Sequence, residues 1–319
     1  LGNENVEITG TTVATLEELK AINNATSGTI TLNAQSISAD YSGLAADVKA
    51  AFAGITTQTG KITLTDASVS VTDINTVAGV TSGEVTATVT SAAASVLNAL
   101  TTTSTDAITM TVNAEASSAA TQASDLVSLN GKTNQVITMT AVTKVSGSYA
   151  DLLDVYVTNA GQYNGEGDEA VTITGTVTAT QADAIADVTS GVVTAASITA
   201  DTASALNSAL SDAQVNAYTL TISAGSAAAT DLTSLDSKTS VVVNAAAVTA
   251  ITGSAVQIAA AYAANPTTGI TGLGNENVTI TGTTVATLAE LKAINNATSG
   301  TITLNAESIS ADYSGVVSD

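Results

Sequence analysis

The sequence predicts an α/β fold in the form of a repeat solenoid, with parallel strands on one side and short helices on the other. Two observations carry this prediction. Short Thr-rich strand segments recur along the chain, and five of their eleven start-to-start spacings equal 23 residues. On a larger scale, residues 273–315 repeat residues 1–43 with only three differences, at an offset of 272 residues. One 272-residue period therefore holds about ten units, each a supersecondary element stacked on the next.

The strands are predicted from the alternation of apolar and polar side chains. In the segment KITLT, Ile62 and Leu64 point to one face, whereas Thr63 and Thr65 point to the other. The inward residues of all units are expected to form one continuous core. Such strands are predicted to begin at Val6, Thr29, Lys61, Glu84, Ala107, Val136, Val171, Val192, Tyr218, Val241, Val278 and Thr301.

A short helix follows the strand in most units and begins at a capping residue. The segment from Thr15 to Glu18 is a capping box, and the segment from Thr287 to Glu290 repeats it. In other units we expect the cap at Asp73, Thr180 and Asp201. Apolar residues three and four positions apart predict the buried helix faces at Leu16, Leu19, Ile22, Leu44, Val48, Phe52, Leu206, Leu210, Leu288, Leu291 and Ile294.

The corners between elements complete each unit. A strand, a crossover helix and a parallel return strand form a βαβ unit, and repeating that unit without reversal gives a coil. A second, narrower strand side is predicted from short signals at Ser36, Ser68, Thr176 and Ser197. Several helices are expected to stop at a glycine in the left-handed conformation, namely Gly28, Gly60, Gly83, Gly191 and Gly300.

The long repeat predicts the domain organisation. We interpret residues 1–272 as one full solenoid period and residues 273–319 as the start of the next, with no separate globular domain. The chain is then expected to be a window of a longer repetitive protein. The junction from Thr267 to Asn277 is shorter than a domain linker, so neighbouring periods are expected to continue the same coil.

The composition argues against several classes of function. The chain has no His, Cys, Arg or Trp, so it lacks the usual acid/base near neutral pH and the usual ligands of zinc, haem and iron–sulfur clusters. Seven Lys against 28 acidic residues give a net charge of −21, which disfavours nucleic acid and anionic membranes. No apolar run is long enough to span a bilayer. We therefore expect no enzyme, no resident cofactor, no nucleic-acid partner and no membrane insertion.

One loop, at residues 161–169, concentrates oxygen-bearing side chains. Its end, GEGDEAVTITG, parallels GLGNENVTITG at residues 272–282. One interpretation is a weak Ca²⁺ site, and the other is a solvated turn in which Gly and Asn or Asp supply positive φ. The second copy keeps only Glu276 as a charged residue, which favours the turn, and the regular calcium-binding nonapeptide of RTX proteins is absent. The Ca²⁺ ligands would be Asn164, Glu166, Asp168 and Glu169.

The outward threonines form the second candidate site. Stacked units place them in rows on one face of the sheet, which is suited to a soluble β surface, to lateral packing against other copies of the protein, or to ice binding. We favour self-association, because strands such as VVTAA and VVVNA interrupt the regular pattern that ice binding uses. The predicted face comprises Thr63, Thr65, Thr86, Thr88, Thr109, Thr111, Thr138, Thr140, Thr172, Thr174, Thr219 and Thr221.

Glycans are a further predicted partner. Three segments match the N-glycosylation pattern, and exposed threonines offer sites for O-linked sugars. The three segments are Asn24-Ala-Thr26, Asn277-Val-Thr279 and Asn296-Ala-Thr298.

Two segments carry a family resemblance. SITADTASALNSAL at residues 197–210 and VSVTDINTVAGVTSG at residues 69–83 resemble repeats of giant surface or secreted proteins from cyanobacteria and other Gram-negative bacteria, which are labelled haemolysin-like or RTX-associated. The resemblance covers nearly all of the chain and brings no catalytic residue. It implies an extracellular or cell-surface location and a role as a filament, sheath or adhesin stalk. The alternative is a binding module, an adhesin or ice-binding protein, that uses the outward Thr face.

Overall fold

The computed structural model describes residues 2–264 and 269–314. It shows an α/β protein in which strands and helices alternate along the chain. Two compact units divide it, Leu1–Glu166 and Gly167–Asp319. The predicted period boundary at residue 273 lies inside the second unit. Part of the predicted junction, Thr267 and Thr268, lies outside the described residues, as do residues 315–319 of the next predicted period.

The first unit consists of short strands that pair in parallel wherever the structure describes a pairing. The strands of this first unit are β1 Val6–Glu7, β2 Ile30–Thr31, β3 Tyr41–Gly43, β4 Ile62–Leu64, β5 Val85–Thr88, β6 Ala92–Ala93, β7 Ala107–Thr109, β8 Val112–Asn113, β9 Thr121–Gln122, β10 Ile137–Thr138, β11 Lys144–Ser148 and β12 Tyr163–Asn164. In the sheet β3-β4-β5-β7, Tyr41 pairs with Ile62 and Ile62 pairs with Val85, so successive partners are one sequence unit apart.

Short helices lie between these strands. Their inner faces supply fully buried residues such as Leu19, Phe52 and Ile74, which pack with the inward residues of the strands to form the core. Two 3₁₀ turns at Ala116–Ser118 and Ala160–Gln162 and a π-helical turn at Asp154–Thr158 also belong to this unit. The α-helices are α1 Leu16–Ala25, α2 Ala34–Ser38, α3 Ala45–Phe52, α4 Val71–Ala78, α5 Ala94–Leu97, α6 Ala123–Asn130 and α7 Tyr149–Leu153.

The second unit repeats this alternation, and its described strand pairings are again parallel. The strands are β13 Ala170–Thr174, β14 Val193–Ala195, β15 Ala217–Tyr218, β16 Gly225–Ala228, β17 Val243–Asn244, β18 Val248–Gly253, β19 Ile270–Thr271, β20 Asn277–Ile280 and β21 Ile302–Thr303. Strands β16, β18, β20 and β21 form one sheet in that order, and β17 pairs with β19. The helices are α8 Ala179–Ala186, α9 Ala203–Ala209, α10 Ala229–Lys238, α11 Ala255–Ala263, α12 Leu288–Ala297 and α13 Ala306–Ile309.

The predicted strand positions are confirmed, since a strand begins within two residues of each of the twelve predicted starts. The second-strand signals are mostly wrong. Ser36 lies in helix α2, because the Asn33 side chain caps that helix by accepting the Ser36 N–H. The other three signals contain only single bridges, at Val69, Val177 and Ile198.

The two capping boxes are confirmed at Thr15 and Thr287. The other predicted caps are wrong by one to three residues. Helix α4 is capped by Ser70 rather than Asp73, helix α8 by Thr178 rather than Thr180, and helix α9 by Thr202 rather than Asp201. In each case the hydroxyl that caps the helix accepts the N–H of the residue three positions later.

One predicted core position is also wrong. Leu44 precedes helix α3 as its N-cap and is 49% exposed, whereas Val48 and Phe52 of the same predicted face are fully buried. None of the helices within residues 2–264 and 269–314 is both long and apolar enough to cross a membrane.

Candidate functional site

The outward threonines alternate with buried residues as the sequence predicts. On and after β4, Ile62 and Leu64 are buried, Thr63 is half-buried and Thr65 is exposed. The other predicted positions behave in the same way, and none of the twelve is buried. The exposed ones are Thr65, Thr88, Thr109, Thr140, Thr172, Thr174 and Thr219, and the half-buried ones are Thr63, Thr86, Thr111, Thr138 and Thr221.

These threonines form short rows rather than unbroken ones. In the first unit Thr63 pairs with Thr86, but Thr86 then pairs with Ala107. In the second unit Thr172 pairs with Thr194, which pairs with Ala217. The hydroxyls are therefore available at the surface, but a regular array of them does not extend across either sheet.

The four predicted Ca²⁺ ligands are divided between the two compact units. Asn164 and Glu166 belong to the first unit, whereas Asp168 and Glu169 belong to the second. Glu169 is fully buried, and its carboxylate accepts the N–H of Gly167 at 2.8 Å. Over the described ranges, no group of three or more acidic side chains is arranged to hold a metal ion.

The loop glycines have the positive φ that the turn interpretation requires, with Gly165 at +92° and Gly167 at +104°. In the second copy Gly272 is at +87° and Gly274 at +145°. Residues with a Cβ are strained in this region, so glycine suits these turns. The turn interpretation is therefore supported, with one addition: the glutamate folds back onto the loop instead of facing solvent.

This folded-back glutamate recurs. Glu276 is fully buried, and both of its carboxylate oxygens lie 2.9 Å from the backbone nitrogen of Gly274. It also accepts a hydrogen bond from the hydroxyl of Tyr262, whose pKa is raised by burial so that it remains a donor. Glu4 takes the N–H of Gly2 in the same way, and this bond lowers the pKa of Glu4. The Gly-x-Glu turn thus occurs three times within residues 2–264 and 269–314.

A threonine of the following sequence unit forms hydrogen bonds to each Gly-x-Glu turn. The hydroxyl of Thr298 donates to the backbone carbonyl of Glu276 at 2.8 Å and accepts the N–H of Gly300 at 3.0 Å. Next to it, the N–H of Ser299 donates to the carbonyl of Gly274 at 2.9 Å. We call this arrangement the threonine clamp. In it, a threonine hydroxyl donates a hydrogen bond to a backbone carbonyl one sequence unit earlier and accepts a hydrogen bond from the backbone N–H two residues later.

The clamp is built six times in the described chain. In the other five copies the hydroxyl lies 2.6 to 2.8 Å from a carbonyl oxygen between 20 and 25 residues earlier. In three of these five copies the carbonyl belongs to a residue other than glutamate, so the clamp needs only a backbone carbonyl. The pairs are Thr26 with Glu4, Thr81 with Gly60, Thr133 with Ile108, Thr189 with Glu169, and Thr239 with Tyr218.

The five glycines predicted as helix stops, four of which follow a clamp threonine by two residues, correct a prediction. None of the five predicted left-handed stops has φ in the left-handed region. Their role is steric, because a Cβ there would collide with the backbone of the preceding unit. The distance from that Cβ to a carbonyl oxygen would be 2.2 Å at Gly28, 2.0 Å at Gly60, 2.5 Å at Gly83, 2.1 Å at Gly191 and 2.1 Å at Gly300.

Four acidic residues are buried in the described chain, and all accept backbone hydrogen bonds. Besides Glu169 and Glu276, these are Asp106 and Asp183. Asp106 accepts the N–H groups of Val85 and Thr103, each at 2.8 Å. Asp183 accepts the N–H groups of Ser211 and Asp212 and the Ser211 hydroxyl. Each buried carboxylate thus holds a loop or a neighbouring unit in place.

Ion pairs on the helix and strand surfaces also join successive units. Lys20 pairs with Asp47, and Lys49 pairs with Asp73. Lys61 lies 2.9 Å from Glu84. The hydrogen bond from Lys49 lowers the pKa of Asp73, and the bond from Lys61 lowers the pKa of Glu84. These pairs are partly exposed, so each contributes little stability by itself, about 0–1 kcal/mol.

Two of the three N-glycosylation patterns include a clamp threonine. Thr26 and Thr298 are buried with their hydroxyls engaged, while Asn24 and Asn296 are exposed. The third pattern lies on β20, where the Asn277 side chain accepts the N–H of Thr301 at 3.0 Å.

No family model matches the chain, and neither a curated protein nor a solved structure matches it. The arrangement of side chains is therefore the whole basis for a functional argument. Sequence reasoning missed the clamp. Its signal is visible in hindsight as the recurrence of Thr-Ser-Gly 20 to 22 residues after the glutamate of each Gly-x-Glu turn.

Proposed function

We propose that this chain is a structural segment of a very long extracellular or cell-surface repeat protein, an α/β solenoid that forms a filament, sheath or adhesin stalk. The observation that carries the proposal is the threonine clamp. It fixes one unit to the backbone of the unit before it, and it recurs along both compact units. A device that joins each unit to its predecessor is what a stacked repeat needs.

The strand pairings support the solenoid in each compact unit taken separately. In both, a strand pairs in parallel with the strand of the preceding sequence unit, as in Ile62 with Val85 and Val171 with Val193. The partners of the ion pairs are separated by a similar offset, 23 to 27 residues. Backbone pairing, clamp and ion pair therefore all join residues one sequence unit apart.

The placement of the acidic residues supports a structural role over a catalytic one. The four buried carboxylates are occupied by backbone N–H groups and hydroxyls, as described above. A general acid or base needs a carboxyl group that can exchange a proton with a substrate, whereas these four bond the backbone of their own chain. The buried carboxylates therefore hold the backbone of their own chain in place.

Self-association through the outward Thr face is the second part of the proposal. The face offers hydroxyls and methyl groups for contact, but the chain that carries it has a net charge of −21. This charge opposes lateral packing of copies, so salt or divalent cations are expected to promote it by screening. Ice binding by the same face is the weaker alternative, because the rows are interrupted at Ala107 and Ala217.

Light scattering against salt and Ca²⁺ tests this proposal. We expect the 319-residue chain to form larger species as salt rises. A Thr63→Lys/Thr109→Lys/Thr138→Lys variant should associate less, because it places charged chains on the outward face. A matched variant with three lysines on exposed helix positions, Ala21→Lys/Thr76→Lys/Ser128→Lys, controls for net charge. If the wild type stays monomeric throughout, or both variants associate equally, the Thr face is only a soluble surface.

A further inference from the structure

The two copies of the long repeat provide an internal comparison. Residues 14–32 and 286–304 differ only at Glu17 and Ala289, yet they are buried differently. Leu19 is fully buried, whereas Leu291 at the same place in the repeat is half-buried. Since the sequence is the same, the difference comes from what covers each copy.

The tyrosine that follows shows the same difference. Tyr41 donates to the carbonyl of Ala14, and Tyr313 makes the equivalent bond to Ala286 at 2.8 Å. Tyr41 is 6% exposed, but Tyr313 is 38% exposed. The local fold of the second copy is therefore intact up to this residue, and only its cover differs.

The cover of the first copy is helix α3, which packs against α1. Phe52 lies edge-to-face on Tyr41, with ring centroids 5.0 Å apart. Polar contacts fix the position of the helix, since Asn23 donates to the carbonyls of Ala51 and Ala53 at 3.1 and 2.8 Å. The Lys20 side chain adds the ion pair with Asp47.

The corresponding surface of the second copy is an open groove of about 460 Å³, in which Leu288, Leu291, Ile302 and Leu304 lie beside Lys292, Asn295 and Asn296. The residues of the first copy that match Leu291, Ile302 and Leu304 are Leu19, Ile30 and Leu32, and all three are buried. Asn295, the counterpart of Asn23, is exposed at its rim. We call this surface the open face, and it consists of Leu288, Leu291, Ile302, Leu304 and Tyr313.

We propose that the open face is a docking surface for one further unit with the sequence of residues 44–64, held as those residues are held on the first copy. The inference rests on the proposed stacking of units and names the partner. Recognition is by a helix whose inner face carries Val48, Ala51 and Phe52, with its last carbonyls facing Asn295. Because the two copies of the long repeat are nearly identical in sequence, the segment that covers the first copy is the expected occupant on the second.

Hydrogen exchange of an extended chain tests the inference. Residues 316–319 are replaced by residues 44–64, so that Gly315 is followed by the sequence that follows Gly43. Mass spectrometry then compares the peptide 288–304 with the peptide 16–32 of the same molecule, which serves as an internal standard. We expect exchange in 288–304 to slow about tenfold or more on extension and to approach that of 16–32.

A second extended chain carries Phe52→Asp in the appended segment only. It should leave 288–304 unprotected, because a charge would face the apolar groove. Unchanged exchange on extension, or equal protection by the Phe52→Asp segment, overturns the inference. Light scattering of the same samples reports self-association separately, so a failure of docking and a failure of the proposed function give different results.

Discussion

The hydroxyl of Thr298 donates a 2.8 Å hydrogen bond to the backbone carbonyl of Glu276, 22 residues earlier in the chain. The side chain of Glu276 itself accepts the N–H of Gly274, so this one residue joins the turn to the clamp. Neighbouring strands are therefore kept in register by backbone groups and one buried hydroxyl. The outward side chains are left free to vary.

The close approach at the clamp predicts the effect of Gly191→Ala. The new Cβ would lie 2.1 Å from the carbonyl oxygen of Glu169, so the two units must move apart. We expect a loss of about 1–3 kcal/mol or more in the free energy of unfolding, measured by chemical denaturation. Gly161→Ala is the matched control, because nothing lies within 4 Å of its Cβ position. Equal stability of the two variants would show that the approach is not tight.

The hydroxyl of the clamp is tested by Thr189→Val. The substitution keeps the shape of the side chain but leaves the Glu169 carbonyl and the Gly191 N–H without their partner. The expected cost is about 1–3 kcal/mol, since the carbonyl is a buried polar group and the N–H is half-buried. Thr189→Ser should lose less, and Thr172→Val on the outward face should change stability by less than about 0.5 kcal/mol. A Thr189→Val protein as stable as the Thr172→Val protein would contradict the role of the clamp.

Two acidic residues predict opposite dependences on pH. The hydrogen bond from Lys61 lowers the pKa of Glu84 in the folded state, so its stabilisation is present above its ordinary pKa of 4.5 and is lost as pH falls. Glu84→Gln should therefore cost stability at pH 7, by at most about 1 kcal/mol, and nothing at low pH.

For Asp187 the sign is reversed. Desolvation, which is slight at this exposed carboxyl, and then the charges of Asp183 and Asp212 raise its pKa above 3.8 in the folded state. The ionised form is then destabilising, and Asp187→Asn should be slightly more stable at neutral pH but equal to wild type at low pH. Thermal unfolding curves of both variants across pH 3–8 give the check. Parallel pH curves for Glu84→Gln and Asp187→Asn would contradict these assignments.

The repeated leucine predicts unequal costs for identical substitutions. Leu19→Ala removes a fully buried side chain and should cost about 2–5 kcal/mol. Leu291→Ala removes the same side chain from a half-buried position and should cost clearly less. Chemical denaturation of the two single variants measures the difference. If the costs are equal, cover by the next unit does not determine the burial of this leucine.

The sequence predicts the strands well because their signal is local. Alternation such as that of Ile62, Thr63 and Leu64 depends only on neighbouring residues, and the strand starts lie where the pattern places them. Helix caps are harder to place, because a chain rich in Ser, Thr and Asp offers several caps in one turn. Ser70 and Asp73 are an example, and the hydroxyl proved to be the cap.

The clamp could not be predicted for a different reason. A glycine required by positive φ and a glycine required by a close approach look the same in sequence, so the sequence predicts the wrong cause for Gly191. Likewise, Glu169 is charged and lies in a Gly-rich loop, which favours solvent or a cation. Its burial depends on contact with Thr189, 20 residues away, and that contact is not visible in a local pattern.

The central claim, that the units stack into a solenoid, is tested most directly by small-angle X-ray scattering of a one-period chain and a two-period chain. A solenoid grows along one axis, so the maximum dimension should roughly double when the number of 272-residue periods doubles. A compact globular chain would instead increase its radius of gyration by only about 1.3-fold. An approximate doubling is the predicted result, and growth near 1.3-fold would contradict the account.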